Sequence, residues 1–397
     1  MRILLFDPRE RDFFLPLTYT RAIADLYVGS FTLKQWWQRL AEEKIYILTQ
    51  AYLQEKYEAC ANDNEFMYIN ATAIPDTNIL KAALALDYNE ALVVNDIPVA
   101  FKSRELYANA TQLPQKFETV AKIDVQLMQY PFELVQWNKK FFELQTGLLA
   151  NSQSRAGISS TNLLIKQENI YMGDGCTMEG CIINANDGPV YISKDCTIME
   201  GSLIRGPLFL GEGSVVKMGT KIYGATTIGK KCTVGGEIKN IILHDYSNKA
   251  HDGYLGDAVI GSWCNFGAGT SCSNVKNTGG DVKIMHHKNS STINAGLKFG
   301  VITGDYVRTA INTSINSGSS IGMCCSLHSH KTFSGIVPNF SWGSTEPNSY
   351  RVEEAIKHIY NWMQFKDEAL SEKDRKILEW LYKENEVSIK KQSIPKY

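Results

Sequence analysis

Aliphatic residues recur at every sixth position along a central stretch of the chain, and this period constrains the fold more than any other feature. Neither an α-helix nor an alternating β-strand produces a step of six. The step does arise if each hexapeptide forms one short strand and one turn, so that three hexapeptides complete a triangular coil with aliphatic side chains stacked inside. The uninterrupted members of the series are Ile192, Ile198, Ile204, Leu210, Val216, Ile222, Ile228 and Val234. The sequence therefore predicts a parallel β-solenoid.

Small residues and interruptions of the period add detail to this solenoid. Small side chains stand four positions after most of the aliphatic ones, where the coil would turn its corners; they are Cys196, Ser202, Ser214, Thr220, Thr226 and Cys232. The period extends on either side of the series, but it breaks between Val234 and Ile260 and again between Cys272 and Val301. In a solenoid such breaks predict loops that leave the coil, and these two would hold many of the polar residues.

The residues before the solenoid alternate short apolar runs with helix-like stretches. The runs ILLF, IYIL, FMYI and ALVV follow the β-α-β order of a largely parallel, doubly wound sheet. We therefore predict an α/β domain at 1–150, the solenoid at 151–345 and a helical tail at 346–397. The tail contains two helical patterns, the second opened by Ser371 and Asp374 as a capping box, and we expect it to cap the open end of the solenoid.

Charge and composition exclude several classes of partner. The formal net charge of −1 provides no basic excess for nucleic acid, and no uncharged apolar run approaches the ~20 residues of a membrane span. The opening residues MRILLFDPRERD do not resemble a signal peptide, so we expect a cytoplasmic protein. The nine cysteines are scattered, which predicts reduced thiols. Cys324, Cys325, His328 and His330 fit no familiar zinc spacing, so packing and surface roles are favoured for them.

The densest polar stretch, Glu237 to Asn277, carries a resemblance to a known family. The strings KAH, YLGDAVIG and NFGAGT, with an asparagine four residues beyond the last, resemble the acetyltransferase half of bifunctional bacterial N-acetylglucosamine-1-phosphate uridyltransferases. The whole chain looks like shorter, divergent relatives of that enzyme. The resemblance implies that the solenoid is left-handed and that it forms a homotrimer, with sites where neighbouring coils meet.

By this resemblance His251 is the general base of acyl transfer from an acyl-coenzyme A such as acetyl-coenzyme A. An amino sugar is mostly protonated at neutral pH, and its amine must lose a proton as it attacks the thioester, which a neutral imidazole can accept. The residues that the resemblance assigns to the sugar phosphate are Lys221, Lys239, Tyr254 and Asn265, and those that it assigns to the acyl carrier are Ala268 and Asn274. The family has an arginine where Lys221 stands, so the bidentate fork is lost. A role as solvated coil residues stays open for Lys221 and Lys239.

The amino-terminal domain matches the family less completely. A nucleotidyltransferase of this kind opens with a strand and a glycine-rich loop that holds phosphates, whereas here DPRERDFFLPLTYTR follows the first strand and contains no glycine. Arg9, Arg11 and Arg21 are candidates to hold phosphates instead. Asp96 resembles the family's aspartate that holds catalytic Mg²⁺ at a strand end, although exposed aspartates are common at such positions.

These observations lead to one favoured interpretation and two alternatives. The favoured one is an acyltransferase in which a reduced nucleotidyltransferase-like α/β domain precedes a left-handed parallel β-helix that acylates the amine of an amino-sugar phosphate. The first alternative is a Mg²⁺-dependent sugar-1-phosphate nucleotidyltransferase whose β-helix serves oligomerisation or regulation. The second is an inactive scaffold that binds sugar nucleotides. The expected ligands are a sugar phosphate or sugar nucleotide and acyl-coenzyme A, with neither nucleic acid nor a membrane as partner.

Overall fold

The computed structural model describes residues 1–149, 158–289, 291–343 and 348–392. The chain forms two compact units. The N-terminal unit comprises Met1–Phe14, Thr20–Tyr27 and Phe31–Tyr130, and the coil unit comprises Leu15–Tyr19, Val28–Ser30 and Pro131–Tyr397. The predicted boundaries at 150/151 and 345/346 lie outside the described residues, so the three-domain division stays a prediction. Within the described ranges, no helix has the length and apolar character to cross a membrane.

The N-terminal unit is built around a six-stranded sheet. The strands in this part of the chain are β1 (Arg2–Phe6), β2 (Tyr27–Val28), β3 (Phe31–Thr32), β4 (Ile45–Leu48), β5 (Phe66–Asn70), β6 (Glu90–Val94), β7 (Ile97–Ser103) and β8 (Thr119–Lys122), and the helices are α1 (Leu33–Ala41), α2 (Ala51–Gln54) and α3 (Thr77–Leu84). The strand order in the sheet is β4-β1-β5-β7-β6-β8. Consecutive residues of a strand point to opposite faces, and Leu4 and Leu5 are both buried. Both faces of the sheet are therefore covered at β1.

The sheet is largely parallel, as predicted, except for β7, which pairs antiparallel with β5 and β6. Asn95 and Asp96 connect β6 to β7, and their φ angles of 48° and 63° are both positive. A two-residue hairpin turn of type I′ requires positive φ at both central residues, which Asn and Asp tolerate better than most residues do. The segment VVNDIPVA is therefore a hairpin, which the alternation of strands and helices did not predict.

The coil unit is a parallel β-solenoid with three faces. The first face comprises Ile170–Met172, Val190–Ile192, Leu208–Leu210, Thr226–Ile228, Ile242–Leu243, Val259–Ile260, Ile302–Thr303, Ser320–Ile321 and Ile336–Val337. The second face comprises Thr177–Met178, Thr197–Ile198, Val215–Val216, Thr233–Val234, Asn248–Lys249, Asn265–Phe266, Arg308–Thr309, Ser326–Leu327, Ser341–Gly343 and Asn348–Ser349. The third face comprises Leu163–Ile165, Ile182–Asn184, Leu203–Arg205, Lys221–Tyr223, Glu237–Lys239, Tyr254–Gly256, Ser271–Cys272 and Ser314–Ile315. Each face grows by parallel pairing from one coil to the next, apart from the antiparallel last strand of the second face.

The aliphatic side chains of the six-residue series fill the centre of the solenoid, and all of them are at most 2% exposed. The small residues predicted at the corners are buried as well, because the corners of successive coils stack closely. Ser214 shows how their hydroxyls are satisfied, since its Oγ donates to the Gly229 carbonyl oxygen at 2.8 Å. All nine cysteines are free thiols. The predicted fold class, an α/β unit followed by a β-solenoid and a helical tail, is confirmed.

The first predicted loop does not exist, because the solenoid continues without interruption from Val234 to Ile260. The buried inward residues of this stretch are Ile238, Leu243, Lys249 and Leu255. Some steps between inward residues shorten to four or five residues, and a lysine occupies one inward position. The six-residue pattern is therefore lost although the coil is not.

The second interruption is an excursion from the coil, as predicted, and it helps to cover the first face. The covering elements are an antiparallel hairpin of Lys283–Met285 and Thr292–Asn294, and the helices α4 (Pro131–Gln136) and α5 (Asn138–Leu144). In the hairpin turn, the Nε2 atom of His287 lies 2.7 Å from the Oγ of Ser320, and burial lowers the pKa of His287 to about 4. The Asn138 side-chain amide donates to the Ala225 carbonyl oxygen at 2.9 Å.

The C-terminal helices lie along the second face of the solenoid instead of capping its open end. These helices are α6 (Val352–Gln364) and α7 (Glu372–Gln392). Lys366, just beyond α6, donates to the Asn248 side-chain oxygen at 3.0 Å, in the middle of that face. The predicted capping box is present, since the backbone N–H of Asp374 donates to Ser371 Oγ at 3.0 Å. The expected position of the tail was wrong because its amphipathic pattern does not specify which apolar surface it covers.

Leu203 and Ile204 are adjacent in one strand, and they test which side chains point into the solenoid and which point outward. Ile204 is 2% exposed and Leu203 is 45% exposed, because they point to opposite sides of the third face. We expect Ile204→Ala to lower the free energy of unfolding by about 2–5 kcal/mol, and Leu203→Ala to change it by no more than about 0.5 kcal/mol. Denaturant unfolding of both variants measures the difference. Equal losses would contradict the coil register.

Candidate functional site

His251 lies at the corner where the second face of the solenoid turns into the third. The corner connects strand Asn248–Lys249 with strand Tyr254–Gly256. The imidazole is exposed and makes no hydrogen bond with the described part of the chain. Neighbouring coils approach closely here: a Cβ on Gly235 would lie 2.3 Å from a carbonyl oxygen of the corner, and one on Gly253 would lie 2.2 Å from a carbonyl oxygen of the next coil. The backbone around His251 is therefore tightly confined while its side chain faces solvent.

Lys249 lies inside this corner. Its side chain is 0% exposed, and its Nζ donates to the carbonyl oxygens of His251 and Asp252, the latter at 3.0 Å. Burial lowers the pKa of Lys249 to about 8, and the Asp252 carboxylate partly opposes that shift, so the side chain is mostly an ammonium at neutral pH. This residue was not among those predicted from the sequence. Only its spacing of six residues from both Leu243 and Leu255 could have identified it as inward.

Asp257 connects two of the predicted site residues. Its Oδ2 accepts from Lys239 Nζ at 3.2 Å and also from the Asn274 side-chain amide, while its Oδ1 accepts from Asn240 at 2.6 Å. Asp257 is only 6% exposed, so a carboxylate here requires such partners. The structure thus brings together Lys239, assigned to the sugar phosphate, and Asn274, assigned to the acyl carrier. Asp257 belongs to the string YLGDAVIG, but no role for it was predicted from the sequence.

Outward side chains of the third face form a second polar group. Lys221, Glu237 and Tyr254 stand in register on successive coils, and Lys221 is exposed. Glu237 accepts a hydrogen bond from the Tyr223 hydroxyl at 2.6 Å, which, with burial, raises the pKa of Tyr223 to about 12. Burial raises the pKa of Tyr254 as well. Both phenols are therefore protonated at neutral pH. The single hydroxyl hydrogen of Tyr223 is directed to Glu237, whereas the hydroxyl of Tyr254 can donate to a ligand. Glu237 and Tyr223 were not predicted from the sequence as site residues.

The remaining acyl-transfer candidates lie elsewhere. Asn265 is on the second face, in register between Asn248 and Arg308, so it is separated from the other three residues assigned to the sugar phosphate. The α6 residue Trp362 covers the Arg308 guanidinium at 5.5 Å, which places the tail near this part of the face. Ala268 is at the corner of the following coil. Within one chain, the predicted set is thus divided between two faces, with His251 at the corner between them.

The three arginines of the N-terminal unit differ in exposure. Arg9 is exposed, whereas Arg11 and Arg21 are 4% and 7% exposed. Arg11 Nε lies 2.9 Å from Asp7 Oδ2, and Asp7 Oδ1 accepts from the Ile23 backbone N–H at 2.9 Å. Burial raises the pKa of Asp7, and the Arg11 charge opposes that shift. Arg11 therefore has a structural partner, and phosphate binding by the three arginines stays a prediction.

Asp96 lies exposed in the β6–β7 hairpin turn. Mg²⁺ sites in proteins combine one or two carboxylates with substrate phosphates and water. In the described ranges, no three or more His, Cys, Asp or Glu side chains are arranged to hold a metal ion. Turn geometry alone explains an aspartate at this position. The residues present thus do not form a dedicated metal site, and the metal role of Asp96 stays a prediction.

Comparisons with known proteins support the resemblance. Residues 3–154 match the family model for sugar nucleotidyl transferases. The bifunctional protein GlmU of Synechococcus elongatus is 26% identical over 290 residues, which span 72% of this chain and 58% of that protein. A bifunctional sugar-1-phosphate nucleotidylyltransferase/acetyltransferase of Sulfurisphaera tokodaii is 34% identical over 137 residues, or 34% of each chain. A solved structure of the polysialic acid O-acetyltransferase OatWY is 14% identical over 48% of this chain and 82% of that one, but its TM-score of 0.17 supports no inference.

These matches first define a class: the chain is related to transferases, and its N-terminal part is similar to sugar nucleotidyl transferases. More particularly, the chain is a divergent relative of the bifunctional sugar-phosphate nucleotidyltransferase/acetyltransferases, as the resemblance predicted. The match spans 58% of the Synechococcus protein, so it does not by itself transfer that protein's activities to this chain.

Proposed function

We propose that this chain is an acyltransferase that moves an acyl group from acyl-coenzyme A, such as acetyl-coenzyme A, to the amine of an amino-sugar phosphate. The observation that carries the proposal is the position of His251. Its exposed imidazole has no hydrogen-bond partner in the described ranges, and it lies at the corner between the two faces that hold the candidate ligand residues. A general base needs both this accessibility and a free ring nitrogen.

The reaction is direct attack of the amine on the thioester carbonyl carbon. His251 accepts a proton from the amine as the C–N bond forms, and the carbonyl oxygen of the tetrahedral intermediate becomes an oxyanion that backbone N–H groups stabilise. Collapse of the intermediate breaks the C–S bond, and the leaving coenzyme-A thiolate takes up a proton. The products are the amide and free coenzyme A, and the step requires no metal.

The charges on the third face suit a sugar phosphate. Lys221 is exposed, and Lys239 keeps ammonium hydrogens beyond the one that it directs to Asp257. Tyr254 supplies a neutral hydroxyl that can orient the sugar. Asn274, which is assigned to the acyl carrier, donates to the same Asp257 carboxylate as Lys239. The sugar phosphate and the acyl carrier would therefore bind on either side of this buried carboxylate.

We also propose that the active form is a homotrimer in the cytoplasm. Asn265 lies on a different face from the other sugar-phosphate candidates, so one coil alone does not gather the whole set. A neighbouring coil placed beside the third face could complete it.

Release of coenzyme A from acetyl-coenzyme A in the presence of glucosamine 1-phosphate tests the acyl transfer. We expect the His251→Ala variant to lower kcat by about 10²–10⁴-fold, which is the usual contribution of a positioned general base. His330→Ala is the matched control, since His330 is also an exposed histidine of the coil unit and has no assigned role. Undiminished turnover in His251→Ala, or no turnover of any amino-sugar phosphate by the wild-type protein, would contradict the proposal.

Nucleotidyl transfer is a second candidate function, and the family match over residues 3–154 favours it. The measurement is formation of a nucleotide sugar from a nucleoside triphosphate and a sugar 1-phosphate, with Mg²⁺ and with a chelator. Asp96→Asn retains a residue that tolerates positive φ and removes the carboxylate. If Asp96 serves the reaction, we expect this variant to stay folded and to lose at least about 100-fold in rate. An unchanged rate would show that Asp96 serves only the hairpin turn. If the wild-type protein forms no nucleotide sugar, nucleotidyl transfer is excluded as a function.

A further inference from the structure

We infer that Lys249, from inside the solenoid, positions the backbone of His251 for the proposed acyl transfer. The inference rests on the proposed function, but its structural part can be tested separately. Lys249 is the ladder partner of Val234, so its side chain occupies a place that an aliphatic residue fills one coil below. Both side chains are 0% exposed. An ammonium at such a position requires an explanation, because a buried charge is unfavourable unless it is paired and hydrogen-bonded.

The hydrogen bonds of the neighbouring corner provide the explanation. The corner between the second and third faces contains only Gly235 and Gly236 in the lower coil, but Ala250 to Gly253 in the next. In the longer corner, the Gly253 carbonyl oxygen accepts from the Glu237 N–H of the lower coil at 3.0 Å, and no described N–H group of that coil donates to the carbonyl oxygens of His251 and Asp252. Its carbonyl oxygens at 251 and 252 therefore need other donors.

The Lys249 ammonium supplies these donors. It donates to both carbonyl oxygens, and the Gly269 N–H adds a second donor to Asp252 at 2.9 Å. For the carbonyl oxygen of His251, Lys249 is the donor found among the described residues. The side chain thus fixes the peptide unit from which the imidazole projects. We assign Lys249 as a positioning residue because it contacts the base's backbone and not the reacting atoms.

Lys249→Met tests this role, because methionine has a similar length and no donor. The volume-conserving control is Leu243→Met, at another inward position of the same coil. The readouts are kcat and KM for acetyl transfer, and the imidazole proton resonance of His251, assigned by its disappearance in His251→Ala. For Lys249→Met we expect kcat to fall about 10- to 100-fold with KM within about twofold, and the His251 resonance to shift or broaden. Leu243→Met should leave both unchanged.

The imidazole resonance of His251 reports on the positioning role of Lys249 independently of acetyl transfer, so the positioning role and the proposed function can fail separately. A shifted resonance in a protein without acetyl transfer would support the positioning role and contradict the proposed reaction. An unchanged resonance and unchanged kcat in Lys249→Met would overturn the inference. The inference also requires apolar variants to fold, because replacing a buried charge by an apolar side chain is often neutral or stabilising. If neither Lys249→Met nor Lys249→Leu folds, Lys249 is needed for the fold itself and the inference is wrong.

Discussion

Backbone pairing between successive coils is the constraint on which the rest of this structure depends. Each strand and corner of the solenoid must supply N–H and C=O partners to the coil above and below it, and this is simplest when every coil has the same length. Over the regular series, identical steps of six residues meet that condition, and the interior is filled by aliphatic side chains and small corner residues. Where coil length changes, side chains must replace the missing backbone partners. Lys239 and His251 lie beside the shortened corner of Gly235 and Gly236.

The charged residues near His251 follow from this constraint. Lys249 enters the interior at the coil that follows the shortened corner, and its ammonium is held by carbonyl oxygens. Asp257, at the next corner of the same coil, is buried and gathers Lys239, Asn240 and Asn274. Each charge has its partners, so neither is an isolated charge in a low-dielectric interior. The same contacts that preserve the coil also fix the backbone and side chains around the proposed base.

The sequence predicted the solenoid because its signal is periodic and repeated. Ile204 or Val216 alone would say little, but a series at a constant step has few structural explanations. The coil from Val234 to Ile260 escaped prediction because a shortened corner and an inward lysine both remove the period while the backbone pairing persists. A periodic pattern of side chains does not reveal backbone pairing between successive coils once the period is lost.

Other features depended on information that sequence patterns do not contain. The β6–β7 hairpin was missed because its Asn95–Asp96 turn lies between two apolar runs that also suit parallel strands. The tail was assigned its helices and its capping box correctly but the wrong position, since amphipathicity does not specify the surface that a helix covers. His251, Tyr254 and Asn274 were assigned through resemblance, whereas Asp257 became apparent only when its partners from two separate segments were seen together.

The central claim is that the coil around His251 binds both substrates of acyl transfer. Amide hydrogen exchange of the intact protein, with and without coenzyme A and glucosamine 1-phosphate, tests it most directly. Slower exchange is expected in peptides that cover 235–240, 250–257 and 265–274, with the effect of each ligand increased by the other. Protection confined to residues 1–130, or none in these coil peptides at ligand concentrations that saturate the protein, would contradict the claim.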